Sequence, residues 1–338
     1  MQIVASAPVR TADLGGWTDT WFASSGRVCN VAVEPGIGID LEFEPDRRLH
    51  GEGPTVTVAV GAGVCDYVVA PGVRPVGVDP LVAAVVALVP PPWDTSIRIT
   101  SGVPAGSGLG TSAALAVALL AGLHSLHGRS PSPASLATDA HSAETSLGLQ
   151  SGIQDQLASA FGGAHLFEIA YPTLRARPQR LAEPVAALLD ASLVTVYLGR
   201  PHRSSEIHDQ VIASLESTDN ERLLAPLRSA ATEGFAALCA ADLDAYGLAL
   251  QANHIAQKAL HPSLVSELAE QIVTTAKRHG ARGWKVNGAG GEGGSMCLLA
   301  PTDPEMRAHM IAAVEAIGHA VVLPIRCARE GVTVVNRP

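Results

Sequence analysis

The chain has 338 residues, of which 47% are apolar and 16% are charged, and its formal net charge is -9. This length predicts two domains, and this composition predicts a globular protein with a large aliphatic core. The acidic balance excludes nucleic acid as an expected partner, because nothing resembles a basic patch with interleaved aromatic residues. The five cysteines form no CxxC pair, so neither a zinc site nor a disulfide framework is expected.

The N-terminus and the apolar runs carry no targeting or membrane signal. Met1 leads directly into a strand-like segment, Gln2–Ala7. The longest apolar run, Leu81–Val89, is too short to span a bilayer and is closed by three prolines. We therefore expect a soluble cytoplasmic protein without a membrane partner.

The first half of the chain alternates strand-like and helical segments. Alternating and β-branched residues predict strands at Gln2–Ala7, Val28–Val33, Ile37–Phe43, Thr55–Val60 and Thr95–Thr100. Helices are predicted at Leu81–Val89, Ala113–Leu126, Pro133–Gly148 and Gly152–Phe161. Ser132 is the expected cap of the third helix.

The second half also mixes strands and helices. The stretch from Tyr171 to Pro184, rich in Arg and Pro, is interpreted as the connection between two domains, residues 1–185 and 186–338. Helices are predicted near Glu206–Leu215, Leu223–Ala241 and Ser263–His279. Strands are predicted at Leu193–Leu198, Gly283–Asn287, Met296–Leu299 and Ala320–Pro324. This pattern is typical of an α+β fold.

The segment between the strand at Thr95–Thr100 and the helix at Ala113–Leu126 is the most informative one. It reads Pro-Ala-Gly-Ser-Gly-Leu-Gly-Thr-Ser over residues 104–112, which we call the first glycine loop. Its glycines let backbone N–H groups turn inward, and the helix N-terminus adds N–H donors and a positive dipole end. The loop therefore predicts a phosphate site; a tight turn with a hydroxyl cap is the alternative.

Two other phosphate-binding motifs do not fit this chain. A P-loop requires a lysine, and the first glycine loop has none. A Gly-x-Gly-x-x-Gly pattern occurs at Gly288, Gly290 and Gly293, but it lies between two predicted strands. The dinucleotide fingerprint requires a strand before it and a helix after it, so a Rossmann oxidoreductase is not favoured.

The first glycine loop closely resembles the ATP loop of the GHMP kinases. Two further segments resemble that family in the expected order: Ala7 to Asp19 (APVRTADLGGWTD) and Lys285 to Gly294 (KVNGAGGEGG). The stretch from Gln154 to Gly163 resembles the one that holds the family's catalytic aspartate. The resemblance spans nearly the whole chain and implies an α+β, two-lobed GHMP kinase fold with the active site between the lobes. Residues 1–185 would form the ATP-binding domain and residues 186–338 the C-terminal domain.

The resemblance implies ATP and Mg²⁺ as cofactors and assigns the phosphoryl-transfer site. Asp155 would accept the proton of the acceptor hydroxyl or orient it, and Arg10 would offset charge on the transferred group. Glu144 stands eleven residues before Asp155, as the metal-binding glutamate of mevalonate kinase does, so Glu144 and Ser112 would hold Mg²⁺. The ATP-binding residues would be Pro104, Gly106, Ser107, Gly108, Leu109, Gly110, Thr111 and Ser112. The structural alternatives are a surface aspartate, an inter-strand arginine and a solvated glutamate.

The acceptor would bind to two of the motifs. The residues implied are Gly16, Trp17, Thr18 and Asp19 in the first motif and Gly288, Ala289, Gly290 and Gly291 in the last glycine loop (residues 288–294). Asp19 resembles the aspartate that binds sugar hydroxyls in sugar kinases, whereas Trp17 either faces the sugar or packs in the core. Gly16-Trp17 replaces the Glu-His pair of galactokinases. The first motif instead resembles fucokinases, and Gln150 to Gly163 resembles heptose-7-phosphate 1-kinases.

The expected function is ATP-dependent phosphorylation of the anomeric hydroxyl of a small-molecule sugar or sugar phosphate, for example a heptose 7-phosphate. A fucokinase-like free-sugar kinase and a catalytically silent sugar-binding homologue remain alternatives, and Asp19 disfavours an isoprenoid or amino-alcohol kinase. If the acceptor carries a phosphate, the candidates to hold it are Arg200, His202, Arg203 and Lys258. The identity of the sugar, a homodimeric state and the role of Glu292 stay open.

Overall fold

The computed structural model describes residues 1–45, 54–61, 63–69, 75, 77–149, 151–171, 175–201, 205–217 and 220–337. The helices are α1 (Pro80–Leu88), α2 (Thr111–Leu126), α3 (Pro133–Thr145), α4 (Gln154–Phe161), α5 (Glu183–Ser192), α6 (Ser205–Ser217), α7 (Glu221–Cys239), α8 (Leu243–Leu260), α9 (Glu267–Arg278) and α10 (Pro304–Glu315). The strands are β1 (Gln2–Leu14), β2 (Ser25–Phe43), β3 (Thr55–Val60), β4 (Gly63–Val68), β5 (Thr95–Ser101), β6 (Ala164–Ala170), β7 (Arg175–Arg180), β8 (Leu193–Tyr197), β9 (Gly283–Val286), β10 (Ser295–Leu299), β11 (Val321–Val322), β12 (Arg326–Cys327) and β13 (Thr333–Arg337). Short 3₁₀ turns lie at Trp21–Ala23 and Pro262–Leu264.

The first sheet is organised around β2, which is long enough to pair with several strands along its length. Its order is β13-β1-β2-β5-β3-β4, and β6 and β12 pair with other parts of β2. Strand β1 runs antiparallel to β2 from the pair Gln2–Glu42 to the pair Leu14–Cys29. This register carries the end of β1, with Arg10 and Asp13, to the level of the N-terminus of α4.

Helix α2 packs directly on the first sheet because its buried residues are almost all small or aliphatic. At Gly122 an added Cβ would lie 2.9 Å from a methyl carbon of Leu41 on β2, so a larger residue there would require the Leu41 side chain to move. The α2 N-terminus is thereby fixed relative to β1. No helix in the described ranges is long and apolar enough to cross a membrane.

The second sheet has the order β11-β8-β10-β9, and its apolar face is covered by α9 and α10. The chain then returns to the first sheet, where β13 pairs antiparallel with β1. The α+β class predicted from the sequence is confirmed. The domain division at residue 185 falls inside α5 and stays a prediction.

Two sequence expectations are corrected by the structure. The stretch from Tyr171 to Pro184 is not a simple connection, because Arg175–Arg180 forms β7 and pairs with β6; residues 172–174 lie outside the described part. Helix α8 was not predicted at all. It exposes Leu248 and Ile255 while burying Asn253 and His254, which obscures the apolar stripe that identifies a helix.

Candidate active site

The first glycine loop turns tightly into the N-terminus of α2. Gly106, Gly108 and Gly110 have φ angles of 68°, 69° and 77°, which side-chain-bearing residues rarely adopt. Gly110 is the N-cap of α2, and no side chain in the described part of the molecule caps it. The hydroxyl cap considered as an alternative is therefore absent at this helix, and its first backbone N–H groups suit an anion.

Ser107 provides an independent test of whether the loop suits phosphate. Its side chain is fully buried, and its Oγ has no hydrogen-bond partner among the described residues. An unpaired buried hydroxyl costs about 1–3 kcal/mol, and a phosphate oxygen placed in the loop would satisfy it. The loop therefore fits the phosphates of ATP. Thr111 is half-buried and Ser112 is exposed on the first turn of α2.

Arg10 and Asp155, the two predicted catalytic residues, meet beside this loop. Arg10 Nε lies 2.8 Å from Asp155 Oδ1, and Nη2 lies 3.1 Å from Oδ2, which makes the pair bidentate. Arg10 also donates to the carbonyl oxygen of Gly108. Asp155 keeps 26% of its side chain exposed while Arg10 keeps 3%. At Gly110, an added Cβ would lie 3.0 Å from the Asp155 carboxylate, so the loop and the carboxylate are in close contact.

Asp19 lies at the N-terminus of α4, where its Oδ2 accepts a hydrogen bond of 2.9 Å from the backbone N–H of Gln154. An added Cβ at Gly152 would lie only 1.9 Å from the same oxygen. Burial, and then the charge of Asp155, raise the pKa of Asp19 to about 6. Asp19 thus holds α4 in place as well as facing the site, a role that the sequence did not reveal because Asp19 and Gln154 are far apart along the chain.

Glu144 on α3 is buried rather than solvated. Its Oε2 accepts hydrogen bonds from Gln156 Nε2 at 2.6 Å and from Ser151 Oγ at 3.1 Å. Burial, and then the charge of Asp155, raise the pKa of Glu144 to about 7. A buried carboxylate with a second carboxylate nearby suits a divalent cation, which would relieve both the burial cost and the repulsion.

These side chains line one polar pocket of about 140 Å³. Its lining consists of Arg10, Trp17, Asp19, Thr20, Glu144, Ser151, Gly152, Gln154, Asp155, Gln156, Gly288 and Ala289. We call this cavity the polar pocket. It joins both predicted catalytic residues, the predicted metal-binding Glu144 and half of the predicted acceptor residues. Ser112 is not among the described lining residues, and its metal role stays a prediction.

The other predicted acceptor residues, Gly16, Thr18, Gly290 and Gly291, are not among the described lining residues of the polar pocket, and their acceptor role stays a prediction. Thr18 Oγ1 donates to the carbonyl oxygen of Gly15, and the N–H of Gly291 donates to the carbonyl oxygen of Leu264. Gly290 also backs onto Leu264. Gly16 lies between Asp13 and Gln154, where an added Cβ would be 3.1 Å from Gln154 Nε2.

Trp17 lies both at the polar pocket and in an apolar cluster, and its contact with a sugar stays a prediction. It lines the polar pocket, and it also packs in a cluster with apolar residues of α6, α7 and α8. Its φ of 75° is unusual for a bulky residue and turns the chain sharply at the pocket wall. Sequence reasoning missed Thr20, Ser151, Gln154 and Gln156 as lining residues, although the last two flank the predicted aspartate.

The groups considered for binding an acceptor phosphate lie elsewhere or outside the described residues. Lys258 forms an ion pair with Glu270 on the surface, and Arg200 is exposed. His202 and Arg203 lie outside the described residues. Glu292 is exposed on the last glycine loop and is not among the described lining residues of the polar pocket. Within the described ranges, no three His, Cys, Asp or Glu side chains are grouped to hold a metal by themselves.

Because Glu144 is buried, we expect the protein without ligands to lose stability as the pH rises. Its pKa is about 7 in the folded protein, whereas an unperturbed glutamate has a pKa of 4.5. Between pH 4.5 and pH 7 the folded protein therefore binds more protons than the unfolded chain. The free energy of unfolding should therefore fall by roughly 3 kcal/mol from pH 4.5 to pH 7 on account of this group. Urea unfolding of the wild type and of Glu144→Gln across this range measures it. If the free energy of unfolding changed with pH by the same amount in both proteins, the assignment to Glu144 would be contradicted. The pH dependence would then come from a group that both proteins contain, such as Asp19.

Comparison with protein families identifies the segment that carries much of this site. The family described as "GHMP kinases N terminal domain" matches residues 81–163. The match includes the first glycine loop, Glu144 and Asp155. The motif that contains Arg10 and Asp19 precedes it, and the last glycine loop follows it.

Curated relatives align over most of the chain. A mevalonate kinase from Pyrococcus horikoshii is 30% identical, over 70% of this chain and 68% of its own length. The bifunctional fucokinase/GDP-fucose pyrophosphorylase of Arabidopsis thaliana is 26% identical, over 86% of this chain and 29% of its own length. The D-glycero-alpha-D-manno-heptose 7-phosphate kinase of Campylobacter jejuni is 26% identical, over 62% of this chain and 63% of its own length. The chain thus spans less than two thirds of the last two relatives.

Solved structures share the fold at lower identity. A D-glycero-D-manno-heptose 1-phosphate kinase from Bacteroides thetaiotaomicron superposes with a TM-score of 0.75, at 19% identity and over 99% of both chains. The galactokinase of Lactococcus lactis, complexed with galactose, gives a TM-score of 0.77 at 18% identity, over 98% of this chain and 95% of its own. These likenesses confirm the predicted fold. From its motifs, its fold and its 30% identical relative, we conclude that the chain belongs to the GHMP kinase family.

Proposed function

We propose that the protein is an ATP-dependent kinase that phosphorylates the anomeric hydroxyl of a sugar or sugar phosphate, giving a sugar 1-phosphate and ADP. One observation carries this proposal: the bidentate Arg10–Asp155 pair lies between the first glycine loop and the polar pocket. A phosphoryl donor on the loop and a hydroxyl acceptor in the pocket would meet at this pair. The names of the Arabidopsis and Campylobacter relatives support a sugar acceptor.

The proposed chemistry uses the charges already assembled at the site. The acceptor oxygen forms a bond to the γ-phosphorus as the bond between that phosphorus and the ADP oxygen breaks. The acceptor proton passes to the carboxylate of Asp155. The guanidinium of Arg10 offsets negative charge that grows on the phosphoryl oxygens. Glu144, with Ser112, would hold Mg²⁺, which neutralises phosphate charge when bound.

A polyhydroxyl acceptor is supported by the side-chain carbonyl groups of two residues that line the polar pocket. The Oε1 atoms of Gln154 and Gln156 are buried and have no hydrogen-bond partner among the described residues. Asp19 adds a carboxylate oxygen to the same wall. Sugar hydroxyls would donate to these acceptors, and an acceptor without hydroxyls would leave them unpaired at a cost of about 1–3 kcal/mol each.

Mevalonate is the competing acceptor, because the Pyrococcus relative is a mevalonate kinase. Its carboxylate would enter a pocket lined by Asp19, Glu144 and Asp155. Among the described lining residues the cation is Arg10, which is already bound by Asp155. This charge balance favours a neutral sugar ring in the pocket over a carboxylate, and the phosphate of a sugar phosphate would have to lie outside the pocket.

The test is ADP release with MgATP against free fucose, galactose, mannose and arabinose, heptose 7-phosphate and mevalonate. We expect turnover with one sugar or sugar phosphate, and phosphorus NMR of the product should show coupling to the anomeric proton. Turnover with mevalonate alone would overturn the sugar assignment. Binding of ATP and sugar without ADP release would identify a silent sugar-binding homologue.

A further inference from the structure

A buried ion pair outside the polar pocket links the two sheets. Lys285 Nζ on β9 lies 2.9 Å from Asp13 Oδ1 on β1, and the two side chains are 1% and 0% exposed. Lys285 also donates to the carbonyl oxygen of Val286. Burying two charges is costly unless their remaining hydrogen-bonding capacity is used, so the other contacts of Asp13 reveal what the pair does.

Asp13 uses its remaining capacity on the last glycine loop. The backbone N–H of Gly288 donates to Asp13 Oδ2 at 3.0 Å and to Oδ1 at 3.2 Å. Gly288 is the first residue of the last glycine loop and lines the polar pocket. Asp13 also lies against Gly16, where an added Cβ would be 3.3 Å from Oδ2. One carboxylate therefore contacts both motifs that border the acceptor.

Gly288 in turn lies against the predicted catalytic pair. An added Cβ at Gly288 would be 3.1 Å from Arg10 Nη2 and 3.1 Å from the carbonyl oxygen of Gly108. Arg10 Nη2 is the nitrogen that bonds Asp155 Oδ2. A displacement of Gly288 would therefore change the space around the guanidinium of Arg10.

Neighbouring contacts fix the backbone on both sides of Asp13 and Lys285. The N–H of Ala12 donates to Asn287 Oδ1 at 3.0 Å, and Asn287 Nδ2 donates to Ser295 Oγ at 3.0 Å. These bonds hold β1 against the second sheet without using the Asp13 carboxylate. Among the described residues, the carboxylate thus accepts hydrogen bonds from Lys285 and from one backbone group that lines the polar pocket, the N–H of Gly288.

We propose that Asp13, charge-paired with Lys285, is a positioning residue that holds the last glycine loop through Gly288 against the Arg10–Asp155 pair. The effect on turnover rests on the proposed kinase function, whereas the effect on the loop does not. Lys285 orients the carboxylate of Asp13, and Asp13 keeps Gly288 at the wall of the polar pocket. Its contribution to catalysis is geometric, because it contacts neither reacting group in the proposed reaction.

Two double variants separate this role from the stability of the ion pair. Asp13→Asn/Lys285→Met removes both charges but keeps a carbonyl oxygen that accepts the Gly288 N–H. Asp13→Leu/Lys285→Met also removes both charges but replaces that acceptor with a methyl group of similar shape. Neither variant leaves an unpaired buried charge, so both avoid the main penalty of a single substitution.

We expect the Gly288 segment to exchange its amide hydrogens at least tenfold faster in the leucine variant than in the asparagine variant. With the acceptor found for the wild type, kcat should be at least tenfold lower in the leucine variant, and the Kd for ATP should agree within threefold. Equal exchange in the two variants would overturn the proposal. If the leucine variant does not fold, Asp13→Ala/Lys285→Met takes its place with the same expectation.

The exchange measurement keeps the two proposals distinguishable. If the wild type turns over no acceptor, the proposed function fails while hydrogen exchange still decides the positioning role. If the wild type is active and the two variants show equal kcat, the positioning role in catalysis fails while the proposed function stands. Faster exchange together with the lower kcat supports both.

Discussion

Asp155→Asn should lower kcat by about 10²- to 10⁴-fold, because an amide cannot accept the proton of the acceptor hydroxyl. The amide also replaces one of the two oxygens that bind the guanidinium of Arg10, so the orientation of the pair is weakened as well. ATP should still bind, since the first glycine loop and the α2 N-terminus are unchanged. Single-turnover kinetics and calorimetric titration with ATP measure the two effects separately.

The matched control is Asp209→Asn, which removes the same charge from an exposed position on α6. Its kcat should equal that of the wild type. Because Arg10 is almost fully buried, Asp155→Asn is also expected to lower the unfolding temperature moderately. If Asp155→Asn retained kcat within threefold of the wild type, Asp155 could not be the proton acceptor.

Gly152→Ala should raise the KM for the acceptor by about tenfold or more. The added Cβ would lie 1.9 Å from Oδ2 and 2.4 Å from Cγ of Asp19, distances that no rotation of the new methyl group can relieve. Either the Asp19 carboxylate leaves the N–H of Gln154, or the segment before α4 shifts. Both changes deform the polar pocket, and such overpacking typically costs 1–3 kcal/mol of stability.

Gly148→Ala provides the control for the glycine substitution, because Gly148 precedes α4 in the same connection. Its φ is 76°, so alanine is strained there, but no atom of the described residues lies within 4 Å of an added Cβ. We expect a loss of about 1 kcal/mol in stability and no change in the KM for the acceptor. Steady-state kinetics with both substrates and thermal unfolding compare the two variants. An unchanged acceptor KM in folded Gly152→Ala would show that the Asp19 wall does not contact the acceptor.

The secondary structure that positions the first glycine loop was predictable because local sequence encodes it. Residues close together along the chain determine three features: the strand Thr95–Ser101, the left-handed glycines and the small residues of α2. Helix α8 and strand β7 escaped prediction for the opposite reason. The structure of α8 depends on its packing against β9, and that of β7 on its pairing with β6. In addition, α8 mixes buried polar groups with exposed leucine and isoleucine, so it lacks a clear apolar stripe.

The sequence by itself determined the family resemblance, the α+β class and the identity of the two residues that meet at the loop, Arg10 and Asp155. Motifs are local, and their order along the chain can be read directly. Only the tertiary structure decided that Asp19 binds the N-terminus of α4, that Gln156 binds Glu144, and that Asp13 pairs with Lys285 and holds Gly288. These contacts join segments from different elements, and burial gives them their strength, so no local pattern could reveal them.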